Sequence, residues 1–335
     1  VDPADDLLLL ASEDPRVRFG AEDRLRQAGA DGRLALERLL RVEEAPAALR
    51  ERATDLLGTL RRETALAAFR ALAPEGREPD LWTAAVAVGA EAPGDFDLAA
   101  ANRRLDEIVA GAKSAVPPGG DPRERAEALT RHLHGDLGFR GNVEAYDDVR
   151  NSWLPAVLER RLGIPITLAV LWIAVARRLG LEAAGVGLPL HFVARCETEG
   201  DPVYVDAFHG RLLDAAGCAD LVERAAGRRI SLPASVFKPL RPREVVARML
   251  RNLRALHANA GDLHAALGAE DRLLHLKPLE ATEWQERAIL LARLDRPAAA
   301  ARSLSRALAL DPAGAARPVV EAQRREFLRA AALRN

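Results

Sequence analysis

Apolar residues recur at helical spacing along most of this chain, and one stretch departs from that rule. From Ile164 to Ala176 (IPITLAVLWIAVA) nearly every position is apolar. Gly163-Ile164-Pro165 turns the chain into this run and Gly180 closes it. The pattern predicts a helix over 166–179 with no polar face, buried on all sides. It falls short of the ~20 residues a membrane span needs. Upstream, the turn-rich connector 111–122 (GAKSAVPPGGDP) ends in a helix start. Asp121 is the N-cap, Pro122 the first position and Glu124 the third residue after the cap, which predicts a helix over 123–134. A loop with Asn142, Tyr146, Asp147 and Asp148 precedes a helix over 152–161. Then the pattern changes. Residues 185–196 and 202–208 are rich in Val, Phe and Tyr and flank Glu197-Thr198-Glu199-Gly200, a β-hairpin signal. Helices resume near 218 and continue to the end.

Two internal periods frame this centre. Ala21, Asp23, Leu25, Leu34 and Leu40 recur 32 residues later as Ala53, Asp55, Leu57, Leu66 and Leu72. A period of that size predicts stacked helical hairpins of HEAT type over residues 1–75. Near the other end, Leu276-Lys277-Pro278 recurs as Leu310-Asp311-Pro312, and Ala266, Arg272 and Leu274 recur as Ala300, Arg306 and Leu308. This Pro-terminated period of 34 resembles the tetratricopeptide repeat. The chain is therefore expected to be α+β and mostly helical, divided into 1–75, 76–238 and 239–335.

Composition narrows the function. The 48 basic and 49 acidic residues nearly cancel, and mixed strings such as 50–64 make solvated helix faces, so neither nucleic acid nor a membrane is an expected partner. Two cysteines, Cys196 and Cys218, are too few for a disulfide framework or a thiolate zinc site. With no basic-then-apolar opening, the expected compartment is the cytoplasm.

The hairpin carries the candidate chemistry. With Glu197–Gly200 as a four-residue loop, Cys196 pairs with Asp201 and His191 stands opposite Asp206. Opposed residues share a face ~5 Å apart, so the carboxylate can hold the imidazole as a general base needs. A loop of three or five residues would part them. The alternative is a buried polar pair that only closes a strand. Cys196 lies on the opposite face, ~16 Å along the strand at ~3.3 Å per residue, and cannot partner His191. Cys218 follows Gly217 at a helix start, where a thiolate is favoured. Thr167 and Ser152 sit near helix starts and read first as caps. Asp206-x-x-His209 beside His191 offers metal-ligand types without a further ligand, so no metal and no cofactor is expected. His132 and His134, two apart on an α-helix, point ~200° apart, given ~100° per residue, which is poor for chelation. His257, His264 and His275 are expected on the surface.

The run 151–181 (NSWLPAVLERRLGIPITLAVLWIAVARRLGL), followed by HFVAR at 191–195 and VDAFHG at 205–210, resembles the SirB-type family of transglutaminase-like proteins with C-terminal tetratricopeptide repeats. The resemblance spans roughly residues 80–310. It implies a transglutaminase- or papain-like core, in which a helix N-terminus bears the nucleophilic cysteine and two following strands bear the histidine and the aspartate. His191 and Asp206 match the last two. The motif Gly-x-Cys-x-x-x-Ala falls on Gly163, Ile164, Pro165 and Ala169, so Pro165 stands in the nucleophile's place. Proline brings neither a thiol nor an N–H for an oxyanion hole.

The expectation is a non-catalytic protein that binds a peptide or partner protein in a cleft with Asn151, Pro165, Thr167, His191, Asp206 and His209. One alternative is an amide or ester hydrolase in which His191 and Asp206 activate water, Cys218 or Thr167. Another is a scaffold acting through its helical repeats.

Overall fold

A computed structural model describes residues 3–42, 44–92 and 96–333. Packing groups them into two units, one formed by 1–67, 258–271 and 280–335 and the other by 68–257 and 272–279. The chain opens with α1 (Pro3–Leu9), α2 (Pro15–Gln27), α3 (Ala30–Leu40) and α4 (Ala47–Leu72). Leu10, Ala21, Leu25, Leu36, Ala53, Leu57 and Leu60 close a common core there. The 32-residue period does not give two hairpins. Its first copy folds as α2, a turn and α3, whereas the second lies within the single helix α4. The difference is local. Gly29 takes φ +58° between α2 and α3, and its counterpart 32 residues on, Arg61, has no such freedom and continues the helix.

The second unit holds the sheet. Its helices are α5 (Leu81–Ala87), α6 (Leu98–Ala115), α7 (Pro122–Arg131), α8 (Leu154–Arg160), α9 (Pro165–Arg178), α10 (Ala215–Ala226) and most of α11 (Pro242–Asn259). Asp121 caps α7 by accepting from the Arg123 N–H at 2.9 Å, with Pro122 at the first position. The α-helix stops at Arg131, short of the expected 134, and a π turn over His132–Asp136 follows, closed by Leu137 N–H on the His132 carbonyl at 2.9 Å. His132 and His134 therefore do not have α-helical spacing. α9 is buried from Pro165 through Ile173 and again at Val175 and Ala176, and it packs on α5 to α8 and on the sheet.

β1 (Arg140–Gly141) and β2 (Leu162–Gly163) form a short parallel pair. β3 (Ala183–Val186), β4 (Val193–Cys196), β5 (Val203–Asp206) and β6 (Arg211–Leu213) form an antiparallel sheet in that order. The strand expected over 185–196 is split, because Leu190 adopts φ +59° and breaks it between β3 and β4. The hairpin register differs as well. Ala194 pairs with Val205 and Cys196 with Val203, so the loop runs from 197 to 202. That register puts Phe208 opposite His191 and makes Asp206 its diagonal neighbour. A slip of two residues preserves the face, which is why His191 and Asp206 still meet.

The chain ends in α12 (Leu263–Leu276), α13 (Ala281–Arg293), α14 (Pro297–Leu310) and α15 (Arg317–Ala332). The 34-residue period superimposes α12 on α14, and Ala266 and Ala300, one period apart, are both fully buried in one core with Leu267, Ala288, Leu291 and Leu304. The three histidines expected on the surface are tied down instead. His257 meets Glu91 at 2.6 Å, His264 meets Asp55 at 3.1 Å, and His275 meets the Ala73 carbonyl at 2.8 Å. A helix-turn pattern does not reveal which carboxylates a histidine will meet from distant segments. No helix among the described residues is long and apolar enough to cross a membrane.

Candidate functional site

The end of β5 and the turn into β6 gather charge around one carboxylate. Asp206 is fully buried. Its Oδ1 lies 3.0 Å from His191 Nε2, and its Oδ2 lies 2.7 Å from His209 Nδ1 and 3.1 Å from Arg211 Nε. Gly210, at φ +68°, makes the tight turn that folds His209 and Arg211 back onto Asp206. Burial is the largest single influence on the Asp206 carboxyl and pushes its pKa up. Hydrogen bonds and charge from His191 and His209 together outweigh it, bringing the group down to about 2. Asp206 is thus a carboxylate at neutral pH. It fixes the His191 ring through Nε2 and leaves Nδ1 as the nitrogen for a ligand or a proton.

Aromatic rings enclose this corner. Phe208 stands edge-on to His191 with centroids 6.3 Å apart and lies 5.0 Å from the His209 ring and 6.1 Å from Tyr146. Tyr146 is half exposed and forms the outer wall. From behind, Arg248 on α11 donates to the carbonyls of Leu188 and His191 at 2.8 and 2.7 Å and lies over the Phe192 ring. Arg248 holds the segment that carries His191, and nothing in the local sequence pattern marks it. It sits 57 residues further along the chain. Arg211, two residues past His209, was equally unmarked.

The start of α9 forms a second corner. Pro165 occupies the first helical position and is buried. The Thr167 hydroxyl faces the carbonyls of Asn151 (2.8 Å) and Ile164 (3.0 Å) and accepts from the Ile164 N–H at 3.1 Å. Fully buried and so engaged, Thr167 serves as the cap of α9. Asn151 is the hub beside it. Its Nδ2 donates to the Ala145 and Tyr146 carbonyls at 2.7 and 3.1 Å, and its Oδ1 accepts from Asn142 Nδ2 at 3.0 Å and from Arg160 at 3.3 Å. β1 lies between the corners: Gly141 N–H donates to the Phe208 carbonyl at 2.9 Å, and Asn142 N–H to the Gly163 carbonyl at 3.0 Å. Two strand spacings, about 10 Å, thus part their backbones. A Cβ on Gly141 would meet the Phe208 ring at 2.4 Å, so only glycine lets β1 come this close.

The structure brings His191, Asp206 and His209 together, and separately Asn151, Pro165 and Thr167. It places Cys218 elsewhere, inside α10 and packed among Val186, Leu188, Val193, Tyr204 and Leu221. Burial, reinforced by the charges of Asp206 and Asp214, pushes its thiol up to about 12. The thiolate favoured by a helix start does not form, because desolvation in an apolar cluster outweighs the helix dipole. Cys196, also buried, is pushed up to about 11. His191, Asp206 and His209 each offer a ligand atom within 4.8 Å of the others, a set that a divalent cation can take. Arg211, on the same carboxylate oxygen, opposes a cation there.

Residues 99–251 match the transglutaminase-like superfamily and 253–330 match a tetratricopeptide repeat. Human F-box only protein 21 is 33% identical over 144 residues, covering 40% of this chain and 22% of that protein. No solved structure matches the chain at a significant level. A UPF0162 protein of Xylella fastidiosa is 37% identical over 189 residues, 55% of this chain and 67% of the relative. The UPF0162 protein of Pseudomonas aeruginosa is 35% identical over 232 residues, 69% of this chain and 85% of the relative. With likeness over so much of both proteins, this chain belongs to the UPF0162 family.

Proposed function

We propose that the protein binds a peptide or partner protein at the His191–Asp206–His209 corner without thiol catalysis, as a member of the SirB-type group with proline in place of the nucleophilic cysteine. The observation that carries this reading is the fate of the nucleophile. Proline stands at the first position of α9, and both cysteines are buried with raised thiol pKa values. What remains is a polar floor of Asp206 and two imidazoles, walled by Phe208 and the half-exposed Tyr146. Such a mixture of aromatic wall and fixed polar groups suits recognition of an extended chain. Tetratricopeptide repeats typically mediate contacts between proteins, which agrees with a binding role. The cytoplasm remains the compartment that suits this reading.

The test is a peptide selected from a displayed library against the full chain and then titrated by calorimetry. Tyr146→Ala and His209→Ala should each weaken it at least about tenfold, the loss of one buried contact. Thiol alkylation should leave it unchanged. Affinity that both variants leave intact would count against this site.

One observation favours a second reading. The His191–Asp206 bond of 3.0 Å is the pairing a general base needs, and water could serve as its nucleophile. That reading predicts hydrolysis of an activated ester above background, lost in His191→Ala and reduced in Asp206→Asn. Equal rates in all three proteins would dispose of it.

A further inference from the structure

On the far side of the β5–β6 turn lies an open cavity of about 490 Å³, lined by Arg123, Arg131, His134, Gly210, Arg211 and Glu127 among others. Three arginines face one glutamate, and Glu127 is already matched to Arg131 at 3.6 Å. Arg211 spends its Nε on Asp206 at 3.1 Å, which anchors the guanidinium and leaves its two terminal nitrogens as a fork. Arg123 has no side-chain partner among the described residues.

The wall between these charges is built to close tolerance. The π turn over His132–Asp136 brings the His134 ring against Gly210, where a Cβ would meet it at 2.2 Å. π turns are rare and concentrate at functional sites. His134 Nδ1 is buried with no partner among the described residues. An orphaned acceptor costs less than an orphaned N–H, so the ring proton belongs on Nε2, which makes that nitrogen a donor.

We propose that this cavity binds the oxyanion of a small organic phosphate or polycarboxylate, held by Arg123, Arg131, the Arg211 fork and His134 Nε2. Phosphate and carboxylate both match the bidentate guanidinium geometry. The volume admits such a group together with several attached carbons, within the usual range for small-molecule sites. Because Arg211 touches the anion on one side and Asp206 on the other, an occupant would report on the corner where His191 and His209 sit. The proposal goes beyond peptide binding and does not depend on it.

Calorimetric titration of the full chain with inorganic phosphate, and separately with citrate, tests it and distinguishes the two sources of negative charge. Saturable binding of either is expected, weakening as sodium chloride is raised because exposed arginines are screened. The double variant Arg123→Gln, Arg131→Gln removes two exposed surface charges and should keep its far-UV circular dichroism while losing at least about tenfold in affinity. Arg229→Gln, which removes an exposed charge that does not line the cavity, should bind within about twofold of the unsubstituted chain. Absence of saturable binding for both anions would overturn the proposal. So would equal affinity in the double variant, which would mean adventitious binding only. An equal loss in Arg229→Gln would mean a general effect of net charge and would overturn it too.

Discussion

The Asp206 corner and the start of α9 face each other across one strand, and they have been settled in opposite ways. At Asp206, one carboxylate is shared by two imidazoles and a guanidinium, with His209 and Arg211 partly open to solvent. At the start of α9, every polar group named by sequence is consumed locally: Thr167 caps the helix and Asn151 ties the 142–151 loop to it. The first corner retains groups that can move a proton or meet a ligand. The second is closed structure. On the reading proposed above, the acid–base half of a transglutaminase-like fold is kept while the nucleophile's half serves as scaffold.

The largest effect expected from breaking this contrast comes from Asp206→Ala. It strands His191, His209 and Arg211 without their common acceptor, and removing one partner from a buried charge cluster costs about 3 kcal/mol or more. Urea denaturation at neutral pH would measure it. The same carboxylate gives a pH signature. Its folded pKa of about 2 lies below the ordinary 3.8, so its stabilising contribution is complete above about pH 4 and is lost as pH falls from 4 towards 2. The linked free energy is on the order of 2 kcal/mol. The unsubstituted chain should lose that stability over this window, and Asp206→Ala should lose correspondingly less. Parallel curves for the two proteins would mean that the histidines do not hold the carboxylate charged.

Asn151→Ala comes next. It removes four side-chain hydrogen bonds at a fully buried position. The Ala145 and Tyr146 carbonyls lose their donor, at about 2 kcal/mol. Because those bonds hold the loop bearing Tyr146, amide exchange should quicken over residues 142–151 while β3–β6 stay protected. Uniform acceleration across the sheet would show that the two corners are not separable. Thr167→Val should cost less, about 1 kcal/mol for a lost cap, and Thr167→Ser should recover most of it. A serine that fails to rescue would point to the methyl group's packing instead.

Much of this was legible in the chain. An unbroken apolar run makes a helix buried all round, and Asp121-Pro122 starts α7 wherever it packs, because both signals are local. His191 and Asp206 were matched from strand alternation although the hairpin loop is two residues longer than its turn residues suggest. Alternation specifies the face, and a slip of two keeps it. Other features depend on distant segments. Arg248 reaches the His191 carbonyl from α11, and His257 meets Glu91 across 166 residues, so no window of sequence could show either. The π turn and the unbroken α4 failed for a third reason. Each turns on one or two backbone conformations, at Gly29 in one case and at His132–Asp136 in the other, that hydrophobic spacing does not record.

The smallest expected change in stability comes from the substitution that asks most of the comparison. Pro165→Cys exchanges one buried side chain for another of smaller size at the first position of α9, and it frees a residue whose backbone proline had restrained in the unfolded chain. The cost should stay at about half a kcal/mol. In the unsubstituted chain, a thiol reagent at pH 7 should find no rapidly reacting cysteine, since Cys196 and Cys218 are protonated and buried. The Pro165→Cys thiol would enter at a helix N-terminus, which lowers a thiol pKa. It should react faster than either native cysteine. Adding His191→Ala to Pro165→Cys then separates two causes. If the rate falls several-fold and its pH dependence shifts upward, His191 reaches across β1 and the corners are halves of one site. If the rate is unchanged, the helix terminus alone activates the thiol, and the corners have become independent.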